Sequence, residues 1–127
     1  MSIFDHISIK VGNSAAVNAF YKGALAPLGI TQKFLAERPD GLTGGYGRER
    51  VEFFVGQATS AVEAPFHLAF EARSRSEVDA FYAAAIAAGG RDNGSPGLRP
   101  KYHENYYAAF VIDPASNNVE GVYQGAD

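Results

Sequence analysis

Two short stretches of the chain alternate apolar and polar residues, as strands with one buried face do. They span residues 6–11 and 66–71. A histidine stands on the polar side of each stretch, His6 in the first and His67 in the second. The apolar positions are Ile7, Ile9 and Val11 in the first stretch and Phe66, Leu68 and Phe70 in the second.

A helix is predicted after each of these strands, because apolar residues recur there at helical spacing. Ser74 followed by Glu77 forms a capping box for the second helix, and Gly89-Gly90 ends it. The first helix is expected to begin near Ser14 and to end by Pro27 or Gly29. The two apolar stripes are Val17, Phe20, Tyr21, Ala24 and Leu25, and Val78, Phe81, Tyr82, Ala85 and Ile86.

Shorter strands are predicted after each helix. They cover about 31–37, 42–47 and 51–56 in the first half, and about 91–93, 106–112 and 118–124 in the second. Residues 93–105, "NGSPGLRPKYHEN", form a long loop, and long ordered loops are often functional. Each half therefore has the order βαβββ.

The two halves match as an internal repeat at a single ungapped shift of 61 residues. The shift carries His6 onto His67, and Phe20-Tyr21 onto the pair "FY" at 81–82. Such agreement predicts one α+β domain, residues 1–127, made of two βαβββ repeats at about 1–60 and 61–127.

Composition narrows the class of protein. The 127 residues carry a formal net charge of -3 without a basic block, which argues against a nucleic-acid or anionic-membrane surface. The chain contains no cysteine, which excludes disulfides and thiolate chemistry. No apolar run approaches the roughly 20 residues of a membrane span. With no secretory signal at the N-terminus, the expected location is the cytoplasm.

Four polar residues stand in otherwise apolar strands: His6, Glu52, His67 and Glu120. Each half contributes one histidine from its first strand and one glutamate from its last. Two imidazoles and two carboxylates suit a divalent metal ion such as zinc, nickel or iron, and a set of three would match non-haem iron oxygenases. Each residue taken alone is also compatible with a structural or solvated role, and Glu52 is the weakest member.

Three further residues are candidates for substrate contact. His103 and Tyr107 lie in or beside "KYHENYY", and a histidine there could shuttle protons. Packing is an equal alternative for both, and it is favoured for the neighbouring Tyr102 and Tyr106. Arg99 could meet an anionic substrate, although a solvated loop position is the alternative.

With these residues, the sequence resembles the vicinal oxygen chelate superfamily, also called the glyoxalase/bleomycin resistance/dioxygenase superfamily. It rests on "DHISIKV", "AFYKGALAPLG", "PFHLAFEARSRSEVDAFYAAAIAAGGRDNGSPGLRP" and "YYAAFVIDPASNNVEGVY". The last stretch resembles the family's D-P-x-G-x-x-I/V-E signature, whose glutamate falls on Glu120. Ser116 replaces the usual glycine, so a left-handed residue is expected at Asn117 or Asn118.

The resemblance implies two modules forming a curved mixed sheet around a cavity, with a metal ion held by His6, Glu52, His67 and Glu120. The leading hypothesis is an enzyme similar to lactoylglutathione lyase, in which Glu120 or Glu52 acts as the catalytic base on a small-molecule substrate. The alternatives are an Fe(II) extradiol-type dioxygenase and a binding protein without catalysis. Many relatives are homodimers that share their cavities, and a homodimer is expected here.

Overall fold

The computed structural model describes residues 2–60 and 65–126 of the chain. The first half contains β1 (Ile7–Val11), α1 (Ser14–Leu25), a short 3-10 helix (Ala26–Leu28), β2 (Thr31–Arg38), β3 (Gly41–Gly47) and β4 (Phe53–Gln57). The second contains β5 (His67–Glu71), α2 (Arg75–Ala87), β6 (Arg91–Asp92), β7 (Gly97–Leu98), β8 (Tyr107–Ile112) and β9 (Asn118–Tyr123). The predicted repeat boundary lies between residues 60 and 61, and residue 61 is outside the described residues. The first and last residues of the predicted domain, 1 and 127, are outside them as well.

The strands form two mixed sheets with the same topology. The first has the order β1-β4-β3-β2 and the second β5-β9-β8-β6, with β7 also paired to β8. In each sheet the first strand of the module lies parallel to the last, and the remaining pairs are antiparallel. The predicted α+β fold of two βαβββ modules is confirmed, and its strands are divided between two sheets.

Both helices begin and end close to the predicted positions. Asn13 caps α1, its side chain accepting from the Ala16 N–H at 3.3 Å. Ser74 caps α2 by accepting from the Glu77 N–H at 3.1 Å, as the capping box predicts. Gly29, with φ of 76°, ends the 3-10 helix. No helix in the described residues is long and apolar enough to cross a membrane.

The two predicted apolar stripes are buried to different extents. All five stripe residues of α1 are fully buried, whereas α2 buries Val78, Phe81 and Ala85 and leaves Ile86 37% exposed. Burial of a large apolar side chain contributes roughly 1.5–3 kcal/mol. The first helix is therefore the more deeply anchored of the two, and it also packs against α2.

The turn between β8 and β9 corrects one expectation. The left-handed residue is Ser116 itself, with φ of 70°, and not Asn117 or Asn118. Asp113 makes this possible, because its carboxylate accepts from the N–H groups of Ala115 and Asn117 at 2.8 and 2.9 Å. These bonds compensate the cost of a left-handed non-glycine residue, about 1–2 kcal/mol.

A buried hydrogen bond joins the two modules. Tyr21 of α1 donates its hydroxyl proton to Oδ2 of Asp113 at 2.7 Å, and both residues are buried. Burial, together with the charge of Asp113 and this hydrogen bond, raises the pKa of Tyr21 far above its ordinary value. The hydroxyl therefore stays protonated and remains a donor.

We predict that Tyr21→Phe lowers the free energy of unfolding by about 1.5–3 kcal/mol, since it leaves a buried carboxylate with one donor fewer. Urea unfolding at neutral pH measures the loss. Tyr82→Phe is the matched control: it holds the equivalent repeat position, but the carboxylate beside its hydroxyl is that of Asp92, which is exposed. A smaller loss is expected there, and equal losses in the two variants would contradict the proposed importance of the Asp113 contact.

Candidate functional site

The second module carries its candidate residues on the face of the sheet that points away from α2. Glu120 of β9 pairs with Ala69 on one side and with Phe110 on the other. Its neighbour Gly121 faces the opposite way, toward Phe81 of α2. Side chains alternate along a strand, so Glu120 lies on the face that the helix leaves uncovered.

His67 and Glu120 are in direct contact on this face. Nε2 of His67 lies 2.9 Å from Oε1 of Glu120, and Nδ1 lies 2.9 Å from the Asn118 carbonyl oxygen. A carbonyl oxygen can only accept, so Nδ1 carries a proton. The His67 side chain is 47% exposed and that of Glu120 only 3%. The imidazole thus reaches solvent while the carboxylate beneath it is enclosed.

Tyr106 covers the other oxygen of this carboxylate. Its hydroxyl donates to Oε2 of Glu120. Burial and the hydrogen bond to Glu120 raise the pKa of Tyr106 above its ordinary value, so the phenol remains a neutral donor. Both oxygens of Glu120 therefore have a partner.

The first module presents its histidine differently. Nδ1 of His6 lies 2.8 Å from Oδ1 of Asp5, and the side chain is 54% exposed. The hydrogen bond from His6 and the charge of Arg50 hold the pKa of Asp5 below its usual value. The His6 ring meets Phe54 edge-on, with centroids 5.6 Å apart.

The strand register corrects the expected equivalence of Glu52 and Glu120. Ala69 pairs with Glu120, and the shift of 61 residues makes Ser8 the counterpart of Ala69. Ser8 pairs with Phe54. Phe54 therefore holds the position equivalent to Glu120, and Glu52 lies two residues earlier, just before β4 and exposed. The sequence pattern could not separate the two, because both point to the same face of the strand.

A cavity of about 480 Å³ opens between the modules. His6, Glu52 and His67 all line it, together with Arg48 and a largely apolar wall. Arg48 is held in place by the carbonyl oxygens of Leu28 at 3.1 Å and Glu71 at 2.7 Å. The apolar wall consists of Phe4, Ile7, Ile30, Phe53, Leu68, Ala69 and Phe70.

The three predicted substrate-contact residues have different surroundings. Tyr107 bonds Asp79 of α2 at 2.6 Å, on the helix side of the sheet, and is no part of the site proposed below. Arg99 lies over the ring of Phe110, 5.4 Å from its centroid. His103 is exposed, and its Nδ1 accepts from the Asn105 N–H at 3.1 Å.

Sequence reasoning assigned Tyr106 to packing and missed its contact with Glu120. The alternation of strand residues gives a signal for this contact once the register of β8 against β9 is known. Phe110 pairs with Glu120, and every second residue before it shares that face, which leads to Tyr106 and excludes Tyr107. Asp5, which orients His6, was missed as well.

The donor chemistry of the second module fits half of a metal site. Ligand bonds from imidazole and carboxylate are roughly 2.0–2.2 Å long, so two donors 2.9 Å apart can share one ion. The bond from Nδ1 of His67 to a carbonyl oxygen is the usual support of a metal-binding histidine. Within the described residues of one chain, no third histidine or carboxylate joins His67 and Glu120 to complete a group of three.

Comparison with known proteins places the chain in a family. Residues 3–120 match the Glyoxalase/Bleomycin resistance protein/Dioxygenase superfamily. The chain belongs to this superfamily. Its members bind small-molecule substrates and usually a divalent metal ion. No curated protein gives a significant match.

Several solved structures share this fold over nearly the whole length of the chain. A glyoxalase/bleomycin resistance protein from Albidiferax ferrireducens T118 is 27% identical, with a TM-score of 0.78 over 95% of this chain and 98% of that one. A lactoylglutathione lyase from Agrobacterium tumefaciens is 17% identical, with a TM-score of 0.67 over 96% and 93%. A family enzyme from Burkholderia phytofirmans PsJN is 17% identical, with a TM-score of 0.71 over 95% and 98%. The last two likenesses concern the fold alone.

Proposed function

We propose that this superfamily member is a metal-dependent enzyme whose ion is held by His6, His67 and Glu120. The observation that carries the proposal is the convergence of Nε2 of His67 and Oε1 of Glu120, 2.9 Å apart, with the other ring nitrogen anchored. One ring nitrogen of His6 is anchored in the same way, because its Nδ1 is hydrogen-bonded to Asp5. This leaves Nε2 as the nitrogen that an ion could reach. Two histidines and one carboxylate form the set used by non-haem Fe(II) oxygenases.

The expected chemistry is therefore that of an extradiol-type dioxygenase acting on a substrate with two vicinal oxygens. When bound, an ion with three protein ligands supplies open positions and Lewis acidity for substrate oxygens. The chain's residues do the rest. The rings of Phe54 and Phe110, on the same face as His67 and Glu120, would give the substrate an apolar surface, and the enclosed Glu120 keeps His67 in place. An ion held by Nε2 of His67 and Oε1 of Glu120 would take the place of the direct contact between these two atoms.

A lactoylglutathione lyase-like activity is the second candidate. It is favoured by one observation: Glu52 lines the same cavity as both histidines, where it could serve as a fourth ligand or as a base. The register favours three ligands instead, because Phe54 occupies the strand position that corresponds to Glu120. A binding protein without metal is the third hypothesis, and the metal measurement below separates it from the other two.

We also propose that the protein forms a homodimer in which His6 of a second copy completes the site. His6 and His67 line one cavity, yet His6 does not join His67 and Glu120 as a group of three within the described part of one chain. Half-buried aromatic rings, Phe34 and Phe54, lie 6.1 Å apart near His6 and offer an apolar contact for that copy. A cytoplasmic location stays a prediction.

We predict that protein purified without chelators holds about one divalent ion per chain, and that His67→Ala and Glu120→Gln each lose it. Glu52→Gln should keep it, because three ligands suffice in the proposed site. Elemental analysis measures the content, and His103→Ala, an exposed loop histidine, is the matched control. Loss of metal in Glu52→Gln would favour the hypothesis of a lyase with four ligands. A wild-type protein without metal would favour the hypothesis of a binding protein without catalysis.

The reaction type can be tested with two probe assays. Fe(II)-loaded protein is expected to consume oxygen in the presence of catechol, measured with an oxygen electrode, and Glu120→Gln should abolish this. Methylglyoxal with glutathione should give no S-lactoylglutathione by absorbance. Formation of that thioester, lost in Glu52→Gln, would reverse the order of the two enzyme hypotheses.

Mixing two inactive variants tests whether copies share their sites. If His6 comes from the second copy, His6→Ala mixed with His67→Ala gives one intact site in each mixed dimer, and metal binding returns. Calorimetric titration of refolded mixtures with Zn²⁺ measures the recovery, and light scattering gives the oligomeric state. Mixed dimers that bind no metal would show that each chain builds its site alone.

A further inference from the structure

Tyr106 stands at the end of the long loop of the second module and is fixed from several sides. Its carbonyl oxygen accepts from the Arg99 N–H at 2.7 Å, and its N–H donates to the His103 carbonyl oxygen at 3.2 Å. The ring of Tyr102 packs against its ring edge-on, with centroids 5.1 Å apart. The backbone of Tyr106 is therefore fixed by hydrogen bonds, and it positions the hydroxyl group against Glu120.

The same loop also supports His67. Arg99 bonds the carbonyl oxygens of Gly97 and Ser95, both at 2.9 Å, and its guanidinium lies over Phe110. Phe110 in turn stacks on His67, with centroids 6.3 Å apart and planes inclined by 24°. In the first module the corresponding connection, from β2 to β3, is the short turn at residues 39–40. The long loop thus belongs to the half that carries the histidine–glutamate pair.

The contact with Tyr106 leaves Glu120 with one oxygen for the site. Oε2 accepts from the phenol, and only Oε1 faces Nε2 of His67. A carboxylate without that phenol could rotate or offer both oxygens to an ion. Its orientation depends on Tyr106, because Glu120 is enclosed and bulk water has little access to its oxygens.

We propose that Tyr106 is a positioning residue that holds Oε2 of Glu120, so that Oε1 alone is directed toward His67 and toward the metal ion. The part of this inference that concerns the ion rests on the proposed function. Partners in the shell around a ligand typically change metal affinity by about 10–100-fold. The effect belongs to the phenol oxygen and not to the ring.

The test compares Tyr106→Phe with Tyr102→Phe, which removes the hydroxyl of a neighbouring tyrosine that is 58% exposed. Both changes keep the aromatic ring, and thermal unfolding checks that both variants remain folded. The probe ion is Co²⁺ alone, added to the full chain, with affinity measured by calorimetry and the ligand set by the visible absorption spectrum. A second readout needs no metal and uses NMR of the imidazole nitrogens. The signals can be assigned readily, because the chain has only 3 histidines.

Tyr106→Phe is expected to weaken Co²⁺ binding by about 10–100-fold, to change the Co²⁺ spectrum, and to shift the ring signals of His67 in the metal-free protein. Tyr102→Phe should leave all three as in the wild type. If wild type and Tyr106→Phe bind Co²⁺ with the same affinity and spectrum, the inference is wrong and the proposed function stands. If the wild type binds no Co²⁺ while the His67 signals still shift, the proposed function is wrong and the positioning contact remains.

Discussion

A buried carboxylate, Asp113, connects the packing of the two modules to the geometry of the candidate site. It accepts from the Tyr21 hydroxyl of the first module and from the backbone and side-chain N–H groups of Asn117 in its own turn. Those bonds fix the turn that leads into β9, where the Asn118 carbonyl oxygen meets Nδ1 of His67. A core contact between the modules is thereby connected, through one turn, to the backbone carbonyl group that holds the imidazole. The hydrogen bonds to Asp113 also compensate the cost of burying its carboxylate.

The two modules share a backbone plan but no longer share their site chemistry. In the second, Glu120 stands on the last strand and Phe110 beside it; in the first, the paired positions hold Phe54 and Gly45. Gly45 is needed there, since a β-carbon would clash with the ring of Phe34. The first module therefore fills with aromatic rings the space that the second gives to a carboxylate. Each module has a histidine at or directly before the start of its first strand, but only the second has a glutamate at the paired position of its last strand.

The periodic features of this fold could be predicted from the sequence, because they depend on local patterns. Helix ends follow from Ser74 and Gly29, and the repeat follows from a single shift that pairs His6 with His67. Register and long-range contacts could not be predicted in this way. Glu52 and Phe54 lie two residues apart on one face, so alternation alone cannot decide which of them meets the partner strand. Alternation places Tyr106 on the same face as Phe110, but only the register of β8 against β9 shows that its phenol meets Glu120.

The replacement of a carboxylate by Phe54 also changes the charge that the proposed site would carry. A divalent ion bound by two neutral imidazoles and two carboxylates is formally neutral, whereas two imidazoles and one carboxylate leave one positive charge. In a cavity with a largely apolar wall, an uncompensated charge is costly. The carboxylates of Asp5 and Glu52 also line the cavity, but both residues are exposed, so solvent screens their charge more than that of a ligand bound directly to the ion. An anionic oxygen of the substrate would remove that cost, so binding and charge neutralisation would occur together. A site built from His6, His67 and Glu120 therefore favours a substrate that binds with one oxygen deprotonated over a neutral one.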